Sequence, residues 1–445
     1  MATQTLPPGP RPRFLRGFLP EFRRDPLALL TSVAHEYGPI ARLQLGPADF
    51  FLLSDPDAIE DVLVTQNKRF HKTRALTENR RVLGNGLLTS DGEFWLRQRR
   101  LAQPAFHRGR IAGFGETMVA YALRHMDPWQ NGETRDLSRE MMRLTLAIAA
   151  KTLFSADVET DADRVGDALN ITLAHFQQRT SAMIRIPESW PTPANRRFER
   201  AARQLDEIIY RVIEQRRSSD EDAGDLLSML MQAEDEDGSH MSPQQLRDEA
   251  MTIFLAGHET TANVMAWTWY LLSRYPAAEA LLHAELDSVL SGRAPTVGDL
   301  PQLRYVDAVI TESMRLFPPA WIVGRTAIAE FTLGEYSFPV GTTVLMSQWV
   351  MHRHPRYFAE PLAFRPERWL DGLAKQIPAY AYFPFGGGPR VCIGKGFAQM
   401  EAALLLAAIG QRFTFRLEPG HPVVPQPSIT LRPRHGVRMT LTQRV

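Results

Sequence analysis

A single cysteine, Cys392, stands among 445 residues. One thiol cannot close an internal disulfide, nor can it build a zinc or iron–sulfur cluster by itself. Any sulfur chemistry is therefore done by one atom. Charge of one sign is equally lacking: Lys and Arg number 51 against 50 Asp and Glu, a net of +1. A chain so balanced has no global pull toward nucleic acid or an anionic membrane surface, so neither is expected as a partner. Long apolar runs are missing too. Ala402–Ile409, among the longest, falls far short of the roughly 20 residues that cross a bilayer, so no transmembrane segment is expected. The opening MATQTLPPGPRPRF has no apolar stretch behind its charges and does not read as a secretory leader. The expected compartment is the cytoplasm.

What is present is ordinary globular material, 44% apolar and 23% charged. Pro7, Pro8, Pro10 and Pro12 favour an extended opening strap. Ile40–Leu45 and Phe50–Leu53 read as strands around a Gly46-Pro47 turn, and Ser54 as the cap of a helix with Pro56 in its first turn. From Asp91 to Met231 the pattern is helical, broken by a proline-rich loop over 186–193. Acidic stretches at 220–225 and 234–237 flank a short apolar helix and read as solvated surface. Ser242 followed by Pro243 opens a helix that Pro276 stops near Tyr275. At about 33 residues it would be on the order of 50 Å long. After Arg315 come short strands (Phe331–Leu333, Thr343–Met346), an irregular stretch from His352 to Arg390, a helix from Gly394, and strands beyond Arg412. With no repeat or linker, the expectation is one mainly α domain over 1–445 with a smaller β region.

Four segments carry chemistry. In Phe385-Gly386-Gly387-Gly388-Pro389-Arg390-Val391-Cys392-Ile393-Gly394, three glycines precede the lone sulfur and a helix follows it. Glycines permit sharp reversal and close approach, and a helix N-terminus favours thiolate over thiol. Such a sulfur could be a nucleophile or a metal ligand. In Ala256-Gly257-His258-Glu259-Thr260-Thr261, an acid and two hydroxyls fall in the middle of the long helix. A zinc-protease reading of His258-Glu259 fails because position 262 is Ala. Glu312 and Arg315, spaced i, i+3, can pair on one helix face. Phe364-Arg365-Pro366-Glu367-Arg368-Trp369 adds guanidinium groups in an irregular region, where Arg368 can complete a buried network with Glu312.

In this order and spacing, AGHETT, ESMR, FRPERW and FGGGPRVCIG resemble the cytochrome P-450 family, the haem-thiolate monooxygenases, over essentially the whole chain. The resemblance implies that fold, with a long central distal helix and a cysteine loop before a proximal helix. It also implies haem b (iron protoporphyrin IX) as cofactor. By it Cys392 is the axial ligand of the haem iron, a thiolate that favours O–O cleavage. Phe385 shields the sulfur, and Gly394 and Ala256 border the haem. Trp95 and Arg99, with Arg325 and Arg390, face its propionates. Glu312, Arg315 and Arg368 form the network that holds the loop before the cysteine. Thr260 and Glu259 deliver protons to oxygen, and His258 is structural.

The resemblance further implies a pocket drawn from Leu255, Ala256, Trp321, Ile322, Val323, Ser428 and Ile429, with 72–90 and 172–192 as lid. The guest is then a small hydrophobic molecule of the fatty-acid, terpenoid or carotenoid class. No fused reductase is expected, and electrons are expected from a separate ferredoxin or flavodoxin with its reductase. That donor would dock on Arg97, Arg100, Arg108, Arg110 and Lys395. The expected reaction consumes dioxygen, two electrons and two protons and yields an alcohol and water. Peroxide-driven or non-redox chemistry on the same haem, a haem-binding sensor without turnover, and a haem-free cysteine hydrolase are the alternatives. Cys392→Ser is expected to abolish the far-red-displaced absorption maximum of the reduced carbonyl adduct; retention of that maximum would remove the assignment of the sulfur.

Overall fold

The computed structural model of the chain describes residues 6–11, 13, 16–157, 161–181, 187–218, 224–234 and 238–444. Pro12, residues 182–186 of the expected lid and loop, and residues 220–223 and 235–237 of the acidic stretches lie outside the described residues. The architecture is mainly helical, with the strands gathered in small sheets.

The organising element is the central helix, Pro243–Arg274. Its start follows from local chemistry: the Ser242 hydroxyl accepts the Gln245 N–H and Pro243 occupies the first turn. Pro276 begins the next helix, Pro276–Leu290, so the chain turns at Tyr275. At 32 residues the central helix is about 48 Å long. It is buried nearly all round, and its most extensive partner is the helix Leu137–Phe154. Glu259 and His258 are buried in its middle, while Ala256 is exposed. An exposed alanine at the centre of a buried helix marks the wall of an internal space.

The largest sheet has five strands in the order Ile40–Leu45, Ala48–Leu53, Thr343–Met346, Val323–Ala327, Phe70–Lys72. The second and third run parallel and the other neighbours antiparallel. The last pairing sets Lys72 opposite Arg325. The helix after the first hairpin is capped by Asp55, one residue later than expected, because Asp55 accepts the Ala58 N–H while Ser54 donates to the Gly38 carbonyl. Thr134–Asp136, Arg438–Gln443 and Phe413–Leu417 form a second sheet in that order. Thr134–Asp136 interrupts a stretch whose pattern reads as helix, since its pairing with Arg438–Thr440 is a distant tertiary contact. Pro425–Pro427 pairs with Leu431–Pro433 in a hairpin whose tip is Ser428, Ile429 and Thr430. No described helix is long and apolar enough to cross a membrane.

The proximal helix, Lys395–Arg412, packs under the central helix and carries Glu401 into the core, where it is fully buried. Burial pushes its pKa to about 8, offset only in part by the Thr261 hydroxyl on the central helix. An acid whose folded pKa lies above its unfolded value binds more protons when folded, so stability falls as pH rises from about 4.5 to 8, by at most about 1.4 kcal/mol per unit. Glu401→Gln is expected to flatten the decline of melting temperature between pH 6 and 8.5; an unchanged slope would mean that this carboxyl does not titrate there.

Candidate active site

Burial brings Glu312, Arg315 and Arg368 together beneath the irregular segment. Glu312 and Arg315 are fully buried on the helix Arg304–Leu316. The Glu312 carboxylate accepts from Arg315 at 2.7 and 2.8 Å, from Arg368 at 3.1 Å, from the Trp369 indole at 2.9 Å and from the Arg365 N–H at 2.9 Å. With that charge satisfied, the guanidinium groups spend their remaining donors on backbone. Arg315 reaches the His352, Pro361 and Ala363 carbonyls, and Arg368 reaches that of Ala359. His352, its pKa held well below the usual range by burial and by Arg315 and Arg353, stays neutral and accepts the Phe383 N–H at 3.0 Å. A segment with little secondary structure is thereby pinned in place, and it delivers the chain to Phe385.

The cysteine loop turns on its glycines. Gly386 and Gly388 take positive φ (71° and 63°), and a Cβ on Gly388 would lie 1.9 Å from the Leu63 carbonyl oxygen. A Cβ on Gly387 would strike the Tyr380 ring. Only hydrogen fits at these contacts. The Cys392 N–H then closes back on the Phe385 carbonyl at 3.0 Å, and Gly394 caps the proximal helix. The Cys392 side chain is exposed yet densely surrounded by protein, the combination that marks a concave position. Burial raises the thiol's pKa above its ordinary value, against the Gly394 N–H and the charges of Arg99 and Lys395, which lower it. Helix position alone therefore does not make this sulfur a thiolate, as the sequence suggested; burial wins. A metal cation at the sulfur reverses that balance.

Around the loop is an excess of buried positive charge. Arg99, on the helix Gly92–Ala102, donates to the Val391 carbonyl at 2.8 Å. Arg390 pairs with Asp91 and lies 4.9 Å over the Trp95 ring. Arg325 donates to its neighbour's carbonyl at 2.9 Å, and burial, with repulsion from Arg390, brings its pKa down to about 10. Lys72 sits opposite Arg325 and donates to the Leu87 and Ser90 carbonyls, its pKa lowered to about 7, first by burial and then by Arg390. Like charges facing each other across a strand pair are destabilising. Asp91 is the nearest carboxylate counter-charge to this group; Glu249, also close to Lys72, has its pKa pushed up to about 8 by burial.

A sequence model of the family described as "Cytochrome P450" matches residues 7–439. The chain belongs to that family. It is similar to "Cyclooctatin synthase" of Streptomyces melanosporofaciens, 41% identical over 96% of this chain and 93% of that one. It is also similar to "Cyclooctat-9-en-7-ol 5-monooxygenase" of the same organism, 39% identical over 89% and 86% of the two chains. "Pentalenene oxygenase" of Streptomyces avermitilis is 33% identical over 95% and 94%.

Cytochrome P450 membership makes the protein a monooxygenase with a haem-iron cofactor, fed by a redox partner and acting with dioxygen on hydrophobic substrates. The residues fit that group: an accessible sulfur in a concavity, a cluster in which cations outnumber carboxylates, and an exposed Ala256 facing an internal space. Lys72 is the member of this cluster that the motifs did not reveal, since its place depends on strand register with Arg325. Other expected residues stand differently. Leu255 is buried in the main core, away from the face that exposes Ala256. Trp321 is 5% exposed, with its indole donating to the Ser428 carbonyl at 2.8 Å, so it anchors the hairpin tip. Ile322, Val323, Ser428 and Ile429 are half-buried. Arg97 bonds Ser239 at 2.9 Å beside the start of the central helix. Arg100, the other expected docking residue of the helix Gly92–Ala102, stands three residues on from Arg97 and shares its face. Arg100, Arg108, Arg110 and Lys395 are exposed. Lys395 borders a cleft of about 320 Å³ behind the loop, with Phe385 and Tyr380 in its walls.

Glu312→Ala would leave two guanidinium groups buried against no carboxylate, at a cost of about 3–5 kcal/mol. Loss of haem absorbance relative to protein absorbance, together with a lowered melting temperature, is the expected result. Full haem occupancy in that variant would show that the irregular segment holds without it.

Proposed function

We propose that this cytochrome P450 hydroxylates a terpenoid skeleton using haem b, whose iron Cys392 would hold through its sulfur. The printed activities of the similar Streptomyces proteins, which name cyclooctat-9-en-7-ol and pentalenene, support a multi-ring terpenoid hydrocarbon or alcohol as substrate. The half-buried apolar Ile322, Val323 and Ile429 and the exposed Ala256 suit such a guest. Haem, when bound, supplies an iron that takes up and activates dioxygen. Arg99, Arg325, Arg390, Trp95 and Lys72 would hold its carboxylates, relieving their mutual repulsion.

The observation that carries the reading is the arrangement at residues 256–260. Thr260 is only partly buried, and its hydroxyl donates to the Ala256 carbonyl at 2.9 Å on the accessible side of the helix. Back-bonding of this kind leaves the oxygen free to accept from a water or an oxygen species. Glu259 next to it is buried, and burial raises its pKa above the ordinary carboxyl value, which favours the protonated form. An alcohol that orders water and an acid that supplies protons form a physically sensible relay. Electrons come from a ferredoxin or flavodoxin docking near Arg100, Arg108, Arg110 and Lys395, and residues 1–445 act as one catalytic unit in the cytoplasm.

Thr260→Ala tests the relay. With a bound terpenoid it is expected to keep the substrate-induced spectral shift while cutting product formed per NADPH by about 100-fold, the low end for loss of a proton-transfer group, with hydrogen peroxide taking up the difference. Unchanged coupling would remove Thr260 from proton delivery.

A further inference from the structure

Along the central helix, Glu259, Asn263 and Trp267 recur at i, i+4 and i+8 and so form one stripe. Each bonds the hairpin Pro425–Pro427/Leu431–Pro433. The Trp267 indole donates to the Leu431 carbonyl at 3.0 Å, Asn263 Nδ2 donates to Thr430 Oγ1 at 3.3 Å, and Thr430 Oγ1 donates to Glu259 Oε1 at 2.5 Å. Thr430, at the hairpin tip next to Ser428 and Ile429, is buried and turned toward the helix. Its hydroxyl has a single proton. With the amide of Asn263 on its lone pair, that proton is committed to Glu259.

We propose that Thr430 is a positioning residue for proton delivery, locking the Glu259 carboxyl so that Oε1 only accepts and Oε2 alone carries the transferable proton. This inference rests on the reading of Glu259 as the relay's acid. Three observations support it. The bond is the shortest side-chain contact Glu259 makes, and it crosses between two elements that border the expected pocket. The charged group facing Glu259 from the hairpin is Arg432, 3.8 Å from Oε1, whose other contact is the Asn170 side chain at 3.1 Å on the helix Ala162–Ser181. The neighbouring His258 is neutral, its pKa lowered to about 4, and its Nδ1 faces the Phe254 carbonyl, so it does not compete for the carboxyl.

The test compares Thr430→Val, Thr430→Ser, Asn263→Ala and Glu259→Gln as holoenzymes. Infrared spectroscopy over pH 5–8 identifies the Glu259 carboxyl band as the one lost in Glu259→Gln. NADPH turnover through an added ferredoxin and its reductase, without substrate, reports the fate of oxygen. Four electrons and four protons give two waters, whereas two of each give hydrogen peroxide. Thr430→Val is expected to move the carboxyl band to higher frequency and raise the peroxide-to-water ratio about tenfold, below the roughly 100-fold that loss of a whole general acid costs. Haem content and the carbonyl spectrum should stay as in the parent. Thr430→Ser should restore both readouts, and Asn263→Ala, which frees the same hydroxyl from the helix side, should move them in the same direction by less. An unmoved band and ratio in Thr430→Val, with Glu259→Gln raising the ratio, would overturn the role of Thr430 while leaving the relay intact. A parental ratio in Glu259→Gln would sink the relay itself, and this inference with it.

Discussion

One buried carboxylate bears on everything near the sulfur. Glu312 has no solvent to compensate its charge, so the five hydrogen bonds it accepts must carry the whole desolvation cost. Because they do, Arg315 and Arg368 can lie buried as well and hand their outer donors to carbonyls of residues 352–363. A stretch with few backbone pairs of its own acquires a fixed path from these side chains. The cysteine loop is built at the end of that path, and two of its glycines, Gly387 and Gly388, press on Tyr380 and Leu63 so closely that no Cβ fits.

Charge works in the opposite sense a short distance away. Lys72, Arg325 and Arg390 gather around Asp91 as counter-charge, Arg99 reaches the same loop through the Val391 carbonyl, and burial lowers the pKa of Lys72, Arg99 and Arg325. The fold tolerates this because each cation finds a carbonyl or an aromatic face. The free energy so stored is what a doubly anionic guest releases on binding. Cys392 follows the same logic: burial favours the neutral thiol, and a metal cation favours the thiolate. Both features make cofactor binding part of the stability of the folded protein.

The distal side separates two jobs that adjacent residues might have shared. Glu259 and Thr260 are neighbours in the chain but diverge by about 100° around the helix. Thr260 looks toward the accessible space and Glu259 toward the C-terminal hairpin. The stripe holds Thr430 and Leu431 of the hairpin while Trp321 holds the Ser428 carbonyl, so the proposed pocket wall and the proposed acid depend on one hairpin. Arg432 extends this set of contacts to Asn170 on a helix of the expected lid.

How much of this could be read beforehand depends on the range of the interaction. Ser242, Pro243 and Pro276 set the ends of the central helix through contacts within a turn, and those ends stand within a residue of expectation. The spacing of Glu312 and Arg315 disclosed their pairing, and the glycines before Cys392 disclosed a tight loop, because both are local. Trp369 and the Arg365 N–H as further donors to Glu312 had no such signal. Neither did Lys72, which needs strand register with Arg325, nor Thr430, which needs the hairpin folded onto the central helix. The chain by itself determined the helix boundaries, the cysteine loop and the family, since each is encoded by neighbours along the backbone. Tertiary structure alone decided the protonation of Cys392, the pairing of like charges and the orientation of Glu259, because desolvation and cross-element hydrogen bonds exist only once distant segments have packed.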